Sequence, residues 1–180
     1  MRVRFIKLEG GDRVIQVYTG NGKGKTTAAL GLALRASGAG LNVYIGQFVK
    51  GRCYNEIKAL RKIPRIKVEQ FGRSCFIKKS PKKADIQMAL SGIERAGEII
   101  ASGKYQLVIL DEINIAVKLK LIPLEVLLEL ISRNPKNTEL VLTGRYASPE
   151  IIRSADLVSE VKEVKHYYVK GIKARKGIEF

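Results

Sequence analysis

Short apolar runs alternate along this chain with longer segments of helical periodicity. The runs are rich in Val, Ile, Leu and Tyr and mostly lack a polar face, a pattern typical of parallel strands that are covered on both sides. They lie at residues 14–18, 41–48, 65–71, 105–110, 138–143 and 156–161. We therefore expect six buried strands. The sequence contains no low-complexity linker that would divide them between domains.

Four segments with helical patterns separate these runs, at residues 26–37, 82–102, 123–133 and 148–155. The first is apolar nearly all round, as expected for a helix packed against a sheet. The alternation of strands and helices predicts an α/β fold, with an open, mostly parallel sheet, helices on both faces and right-handed crossovers. We expect a single domain over residues 1–180, with an additional N-terminal strand in "VRFIKL" that forms a hairpin through "EGGD".

Length and composition fit this interpretation. A chain of 180 residues with 46% hydrophobic residues is long enough for one substantial core. No apolar run approaches the roughly 18 residues that span a bilayer, and the N-terminus does not resemble a signal peptide. Cys53 and Cys75 are too few for a disulfide framework. We therefore expect a cytoplasmic protein with no membrane partner.

The net charge of +16 is large, and the basic residues are concentrated at 58–83 and from Lys162 to Lys176. Such patches attract polyanions, which leaves nucleic acid, a polyphosphate ligand or simply a solvated lysine-rich surface as explanations. The single histidine, His166, excludes histidine-rich metal sites and argues against a serine–histidine hydrolase.

The segment "TGNGKGKTT" at 19–27 follows the first predicted strand and precedes the first predicted helix. Glycines at this point allow backbone N–H groups to approach an anion, and the helix presents its positive end. Lys25 supplies a charge for the outer phosphates, and the Thr26 hydroxyl supplies an oxygen for Mg²⁺. The candidate nucleotide-binding residues are Gly20, Asn21, Gly22, Lys23, Gly24, Lys25, Thr26 and Thr27. The loop is a variant, because Thr19 stands where the usual G-x-x-x-x-G-K-[ST] pattern has its first glycine.

Two further strand ends belong to the same prediction. The run "LVILDE" ends in Asp111 and Glu112, whose carboxylates, with Thr26, are candidate ligands for Mg²⁺ or Mn²⁺. The segment "LTGR" places Arg145 near the same rim, where arginine suits phosphate. These motifs predict a nucleoside triphosphate and a divalent metal, and they leave kinase, ATPase and nucleotide-dependent transferase open.

The segment 17–51, "VYTGNGKGKTTAALGLALRASGAGLNVYIGQFVKG", closely resembles the opening of ATP:corrinoid adenosyltransferases. The resemblance continues through "QFGR" (70–73), "ASGKYQLVILDEINIAV" (101–117), "LTGR" (142–145) and the C-terminal "VKHYYVKGIKARKGIEF" (164–180). It covers almost the whole chain from residue 13. The implied fold is a RecA-like P-loop nucleotide-binding fold.

The resemblance implies that Co(I) of a reduced corrinoid attacks C5′ of ATP and that inorganic triphosphate leaves intact, in adenosylcobalamin synthesis or salvage. Because Co(I) is already a strong nucleophile, no protein base is needed. The implied catalytic residues, Lys25, Thr26 and Glu112, would stabilise the departing triphosphate with the metal, and Lys23 and Arg145 are further candidates.

The resemblance also implies a bulky apolar side chain that excludes the lower axial ligand of cobalt. Relatives carry Phe and Trp after "FGR", whereas "SCFIKKSPKKAD" (74–85) has no Trp, so Phe76 is the candidate. Lysines in this segment are candidate contacts for the corrinoid or for a flavoprotein reductant: Lys78, Lys79, Lys82 and Lys83. The relatives suggest a homodimer.

Two alternatives remain at this point. A nucleic-acid-stimulated, RecA-like P-loop ATPase would use the basic patches, but the sequence shows no basic motif interleaved with aromatic residues for base stacking. A non-catalytic carrier of corrinoid or ATP would not need Lys25, Thr26 and Glu112, which are all present.

Overall fold

The computed structural model describes residues 13–51, 54–73 and 80–179. The strands are β1 Val14–Thr19, β2 Val43–Phe48, β3 Ile66–Phe71, β4 Leu107–Asp111, β5 Glu139–Thr143 and β6 Leu157–Glu160. The helices are α1 Lys25–Gly38, α2 Asn55–Leu60, α3 Lys83–Ala101, α4 Ile113–Lys118, α5 Leu124–Ser132 and α6 Pro149–Arg153. A 3₁₀ turn covers Tyr167–Lys170.

The six strands form one open parallel sheet in the order β3-β2-β4-β5-β1-β6. The register pairs Tyr18 with Thr143 and Gln47 with Asp111, so the carboxyl ends of β1, β5, β2 and β4 lie at one edge. Ligands of open α/β sheets bind beyond this edge. The sheet order therefore brings together the three strand ends that carry the predicted site.

Both faces of the central strands are buried, as the apolar runs predicted. In β4, Val108 and Leu110 pack into the core under α3, α4, α5 and α6, whereas Leu107 and Ile109 pack into the core under α1 and α2. The α1 side of the second core consists of small residues, Ala29, Ala33 and Ala36. Their short side chains let α1 lie close to the sheet.

The predicted α/β class, the parallel sheet and the helices on both faces are confirmed, with bounds shifted by at most two residues. The expectation that every strand is covered on both faces is wrong for β6, where Leu157 and Val158 remain 44% and 41% exposed. The reason is position, because within the described ranges β6 lies at the edge of the sheet and pairs with β1 alone.

Two short helices, α2 and α4, did not stand out in the sequence, because six residues are too few for a clear helical stripe. The predicted hairpin in "VRFIKL" lies outside the described residues, and the single domain over residues 1–180 stays a prediction. Among the described helices, none combines the length and the apolar character that crossing a bilayer requires.

Candidate active site

The loop between β1 and α1 consists of five residues, Gly20 to Gly24. Gly20 and Gly24 have φ angles of +94° and +119°, in a region that favours glycine over other residues. Helix α1 follows directly, with no acidic residue in its first turn and no side chain that caps it. Its positive end therefore opens into the loop, the arrangement by which helix N-termini bind phosphate.

Lys25 is buried and directs its ammonium back into this loop. Its Nζ donates hydrogen bonds to the carbonyl oxygens of Gly20 at 2.7 Å and Gly22 at 2.6 Å. Burial lowers the pKa of Lys25, the charge of Arg145 lowers it further, and Glu112 acts in the opposite direction. The loop carbonyls thus hold the lysine charge at the centre of the predicted phosphate site.

The back of the loop packs against the segment that follows β6. The N–H of Gly22 donates to the carbonyl oxygen of Val161 at 2.7 Å. A Cβ atom on Gly22 would lie 2.8 Å from backbone atoms of Val161 and Lys162, and one on Gly20 would lie 2.5 Å from the Val161 oxygen. Gly20 and Gly22 therefore serve close packing against this segment as well as access for an anion.

Lys23 is held by the end of the chain. Its Nζ donates to the Tyr167 hydroxyl at 2.7 Å and to the Glu179 carboxylate at 2.8 Å, and the N–H of Arg175 donates to the same carboxylate at 2.6 Å. The Lys23 and Tyr167 contacts lower the pKa of Glu179. We call residues 161–179 the C-terminal segment. Sequence reasoning did not anticipate its contact with the loop, because Lys23 and Glu179 are 156 positions apart.

Asp111 is fully buried at the carboxyl end of β4 and accepts four hydrogen bonds. Its Oδ1 accepts from the hydroxyls of Thr26 at 2.9 Å and Thr143 at 2.7 Å. Its Oδ2 accepts from Gln47 Nε2 at 3.1 Å and Lys50 Nζ at 3.0 Å. A buried carboxylate needs such partners, and they fix its orientation toward the loop.

Glu112, the next residue, adopts a left-handed backbone conformation with φ 61° before α4 begins. Its N–H donates to the Thr143 hydroxyl at 3.0 Å. Non-glycine residues pay a steric cost in this conformation and often occur at functional sites. The turn separates the directions of Asp111 and Glu112: the first points into the protein, while the second lines the cleft.

Lys50 is the functional candidate that sequence reasoning missed. Its Nζ lies 3.0 Å from Thr26 Oγ1, 3.0 Å from Asp111 Oδ2 and 3.2 Å from Glu112 Oε1. Burial lowers the pKa of Lys50, but the charges of Asp111 and Glu112 and hydrogen bonds to both more than offset this, and the pKa is raised. The available signal was its place two residues beyond β2, at the carboxyl edge where sites form.

Most of the candidate residues line one cleft of about 940 Å³. From the predicted set the cleft is lined by Gly22, Lys23, Gly24, Lys25, Thr26, Thr27, Glu112 and Arg145, and Lys50 joins them. An apolar wall between α1 and α2 includes Leu30, Leu34, Leu60 and Ile63. A smaller cleft of about 350 Å³ near Asn42 and Lys104 contains none of the candidates.

The remaining predicted residues lie elsewhere. Asp111 is buried below the cleft floor, Gly20 packs behind the loop, and Asn21 is exposed at its tip. Arg145, by contrast, belongs to the cleft lining and is exposed at its rim, after Gly144 at the end of β5. Phe76 lies outside the described residues.

The donor set suits a hard divalent cation. The described part of the chain contains no group of three or more His, Cys, Asp or Glu side chains that could hold a metal by themselves. Mg²⁺ does not require one, because it commonly binds one or two carboxylates together with phosphate oxygens and waters. Thr26, Asp111 and Glu112 already surround one cationic group, the Lys50 ammonium, so the position accepts positive charge.

Comparison with known proteins gives consistent results. The family model described as ATP:corrinoid adenosyltransferase BtuR/CobO/CobP matches residues 12–180. The corrinoid adenosyltransferase of Pseudomonas aeruginosa is 37% identical over 169 residues, 93% of this chain and 83% of that protein. Corrinoid adenosyltransferase CobA of Salmonella typhimurium is 34% identical over 167 residues, 93% of this chain and 85% of that protein.

Among solved structures, a KaiC-like protein from Pyrococcus horikoshii resembles this chain with a TM-score of 0.55. The match covers 85% of this chain and 74% of that one, at 18% sequence identity. A likeness at this identity concerns the fold alone. It agrees with the RecA-like P-loop architecture expected from the sequence.

Proposed function

The chain belongs to the ATP:corrinoid adenosyltransferase family, and on that premise we propose how its residues carry the reaction. The enzyme transfers the 5′-deoxyadenosyl group of ATP to the Co(I) centre of a reduced corrinoid, in the formation of adenosylcobalamin. The Co–C5′ bond forms with the electron pair of Co(I). The C5′–O bond breaks, and its electron pair leaves with inorganic triphosphate.

We propose that the loop Gly20–Gly24 and Lys25 hold the triphosphate. The observation that carries this assignment is the buried Lys25 ammonium inside a glycine loop at the open end of α1. Backbone N–H groups and a fixed charge stabilise a leaving anion without reorganisation during the reaction. Arg145 at the rim of the same cleft would add charge on the outer side.

Thr26, Asp111 and Glu112 would hold Mg²⁺ or Mn²⁺, with Thr26 and Glu112 on the cleft side and Asp111 behind them. A metal bound there neutralises charge on the triphosphate. Asp111 positions the Thr26 hydroxyl through their 2.9 Å hydrogen bond. These assignments give Lys25, Thr26 and Glu112 catalytic roles in leaving-group stabilisation, whereas Asn21 and Thr27 would complete the nucleotide contacts.

The corrinoid must reach C5′ from the open side of the cleft. We propose that Phe76 excludes the lower axial ligand of cobalt, as the family resemblance implies. A homodimer, a flavoprotein reductant and a cytoplasmic location belong to the same proposal. Nucleic acid is not a proposed partner, because the relatives are corrinoid adenosyltransferases.

The test is an anaerobic assay with cob(I)alamin, ATP and Mg²⁺, followed by the visible spectrum and by phosphate analysis. We expect a light-sensitive Co–C product and inorganic triphosphate from the wild-type protein. Lys25→Ala should reduce turnover by at least about a hundredfold, because it removes a charge from the leaving-group site. Lys136→Ala, an exposed lysine far from the carboxyl edge, is the matched control and should keep full activity.

Two results would contradict the proposal. Release of ADP and phosphate as the main products would mean γ-phosphoryl transfer or ATP hydrolysis instead of adenosyl transfer, the outcome expected of the RecA-like ATPase alternative. Full turnover in the Lys25→Ala protein would remove the assignment of the triphosphate to this loop.

A further inference from the structure

Lys50 occupies the point where the proposed metal ligands converge. Its ammonium contacts the Thr26 hydroxyl at 3.0 Å, the Asp111 carboxylate at 3.0 Å and the Glu112 carboxylate at 3.2 Å. These three side chains come from α1, from the end of β4 and from the turn after it. One lysine therefore makes hydrogen bonds or ion pairs with every side chain that we assign to the metal.

An ammonium and a divalent cation cannot share this position. Mg²⁺ binds oxygen at about 2.0–2.1 Å, so a metal held by Thr26 and Glu112 would lie in the space that the Lys50 Nζ now takes. Two cations so close would repel strongly in a partly buried site, and the Lys50 side chain is only 23% exposed. Metal binding therefore requires the lysine head group to move.

The neighbouring cleft offers the displaced ammonium a new partner. Lys50 lines the same cleft as the glycine loop, Lys25 and Arg145. Its four-carbon stem is flexible, and its ammonium acts as a mobile point charge. Triphosphate oxygens in this cleft would replace the two carboxylates as its counter-charges, whereas in their absence displacement would leave the ammonium unpaired.

We propose that Lys50 is a further functional residue of the adenosyl transfer: it competes with the divalent metal for one position and moves to the triphosphate when nucleotide and metal bind together. Lys50 thereby makes metal binding depend on nucleotide, and it adds a cation to the leaving group. This inference rests on the proposed assignment of the phosphate and metal sites.

The first experiment measures Mn²⁺ binding without nucleotide or corrinoid, from the electron paramagnetic resonance signal of free Mn²⁺. The variant Lys50→Met keeps the stem length and removes the charge. It should bind Mn²⁺ at least about tenfold more tightly than wild type, because the competing cation is gone. Lys136→Met, exposed and remote from the site, should bind Mn²⁺ as wild type does.

The second experiment measures the affinity for inorganic triphosphate by calorimetry at saturating Mg²⁺, the condition under which we propose that Lys50 contacts the triphosphate. Lys50→Met should bind triphosphate about tenfold more weakly than wild type, because one cation of the cleft is lost. A residue that changes partners should affect the two affinities in opposite directions: its loss raises the affinity for Mn²⁺ and lowers the affinity for triphosphate. A merely structural lysine would weaken both affinities or neither.

Three results would overturn the proposal. These are Mn²⁺ affinity in Lys50→Met no higher than in wild type, unchanged triphosphate affinity, and micromolar binding of Mn²⁺ by the wild-type protein without nucleotide. The measurement of Mn²⁺ binding by the wild-type protein needs no variant. If Lys50→Met fails to fold, Lys50→Gln takes its place in both experiments. Neither experiment uses corrinoid. An absence of Co–C product would therefore contradict the proposed function, whereas the change of partners by Lys50 could still be measured.

Discussion

The packing of Gly22 against the C-terminal segment gives a prediction that joins structure to nucleotide binding. A Cβ atom at residue 22 would meet the carbonyl carbon and oxygen of Lys162 and the oxygen of Val161, each at 2.8 Å. All three are backbone atoms, which a rotamer change cannot move aside. Gly22→Ala therefore forces the two backbone segments apart by about 0.6 Å to reach ordinary contact at 3.4 Å.

The expected cost follows from two contributions. The separation weakens the 2.7 Å hydrogen bond from Gly22 N–H to the Val161 carbonyl oxygen, which costs up to about 1 kcal/mol. Overpacking adds about 1–3 kcal/mol. The residues that follow Lys162 are mostly exposed and lie outside both cores, so the chain relieves this strain by releasing the C-terminal segment and not by unfolding.

Hydrogen exchange followed by mass spectrometry checks this prediction. In Gly22→Ala, amides of the C-terminal segment should exchange at least about tenfold faster, while those of β1, β4 and β5 stay protected as in wild type. Affinity for ATP should fall, because the loop loses the support that fixes its shape. Gly38→Ala, at the end of α1 and outside the cleft, where an added methyl meets no atom of another element within 4 Å, is the control and should change neither quantity. Wild-type protection of the C-terminal segment in Gly22→Ala would refute the reasoning.

Two further predictions concern α3. Gly92→Ala should lower the free energy of unfolding by about 1–3 kcal/mol in urea denaturation, because its methyl would lie 2.6 Å from the Phe71 ring. Gly97→Ala in the same helix meets its nearest neighbour at 3.6 Å and should be neutral or stabilising by up to about 1 kcal/mol, and equal effects of the two variants would contradict the packing argument. Asp85 accepts two hydrogen bonds from Arg73, and these lower the pKa of the Asp85 carboxyl. The contribution of this carboxylate to stability is therefore complete above its pKa in the unfolded chain, about 4. It is lost as the pH falls through the lower pKa of the folded protein. Asp85→Asn should therefore be less stable than wild type at pH 7 by urea denaturation, and the difference should shrink in acid; a difference that stays constant down to pH 2 would exclude the ion pair as its cause.

Local pattern determined the fold class and the identity of the loop. Continuous apolar runs and helical stripes arise from neighbours in sequence, so the six strands and the four longer helices could be predicted within a few residues. The glycine loop ending in Lys25 and Thr26 could be found for the same reason, since its chemistry is contained in nine consecutive residues. Asp111 and Glu112 followed from their place at the end of an apolar run.

Edge position and short elements were less accessible. The run that forms β6 was grouped with the buried strands, yet its side chains are exposed, and β1 is the one described strand that lies beside it. Helices α2 and α4 are too short to show a periodicity of their own. These features depend on which elements become neighbours in the folded protein. The sequence of a single strand or helix does not determine the order of the strands in the sheet.

Tertiary structure alone decided the contacts that define the site. Lys50 meets Asp111 across 61 positions, and Lys23 meets Glu179 across 156, because the parallel sheet collects its carboxyl ends at one edge and the chain end returns over the loop. Lysine side chains are long and can point in many directions, so their partners follow from the folded arrangement of charges and not from adjacent residues. Sequence thus determined the elements and the phosphate loop, whereas the folded sheet decided which charges face one another around it.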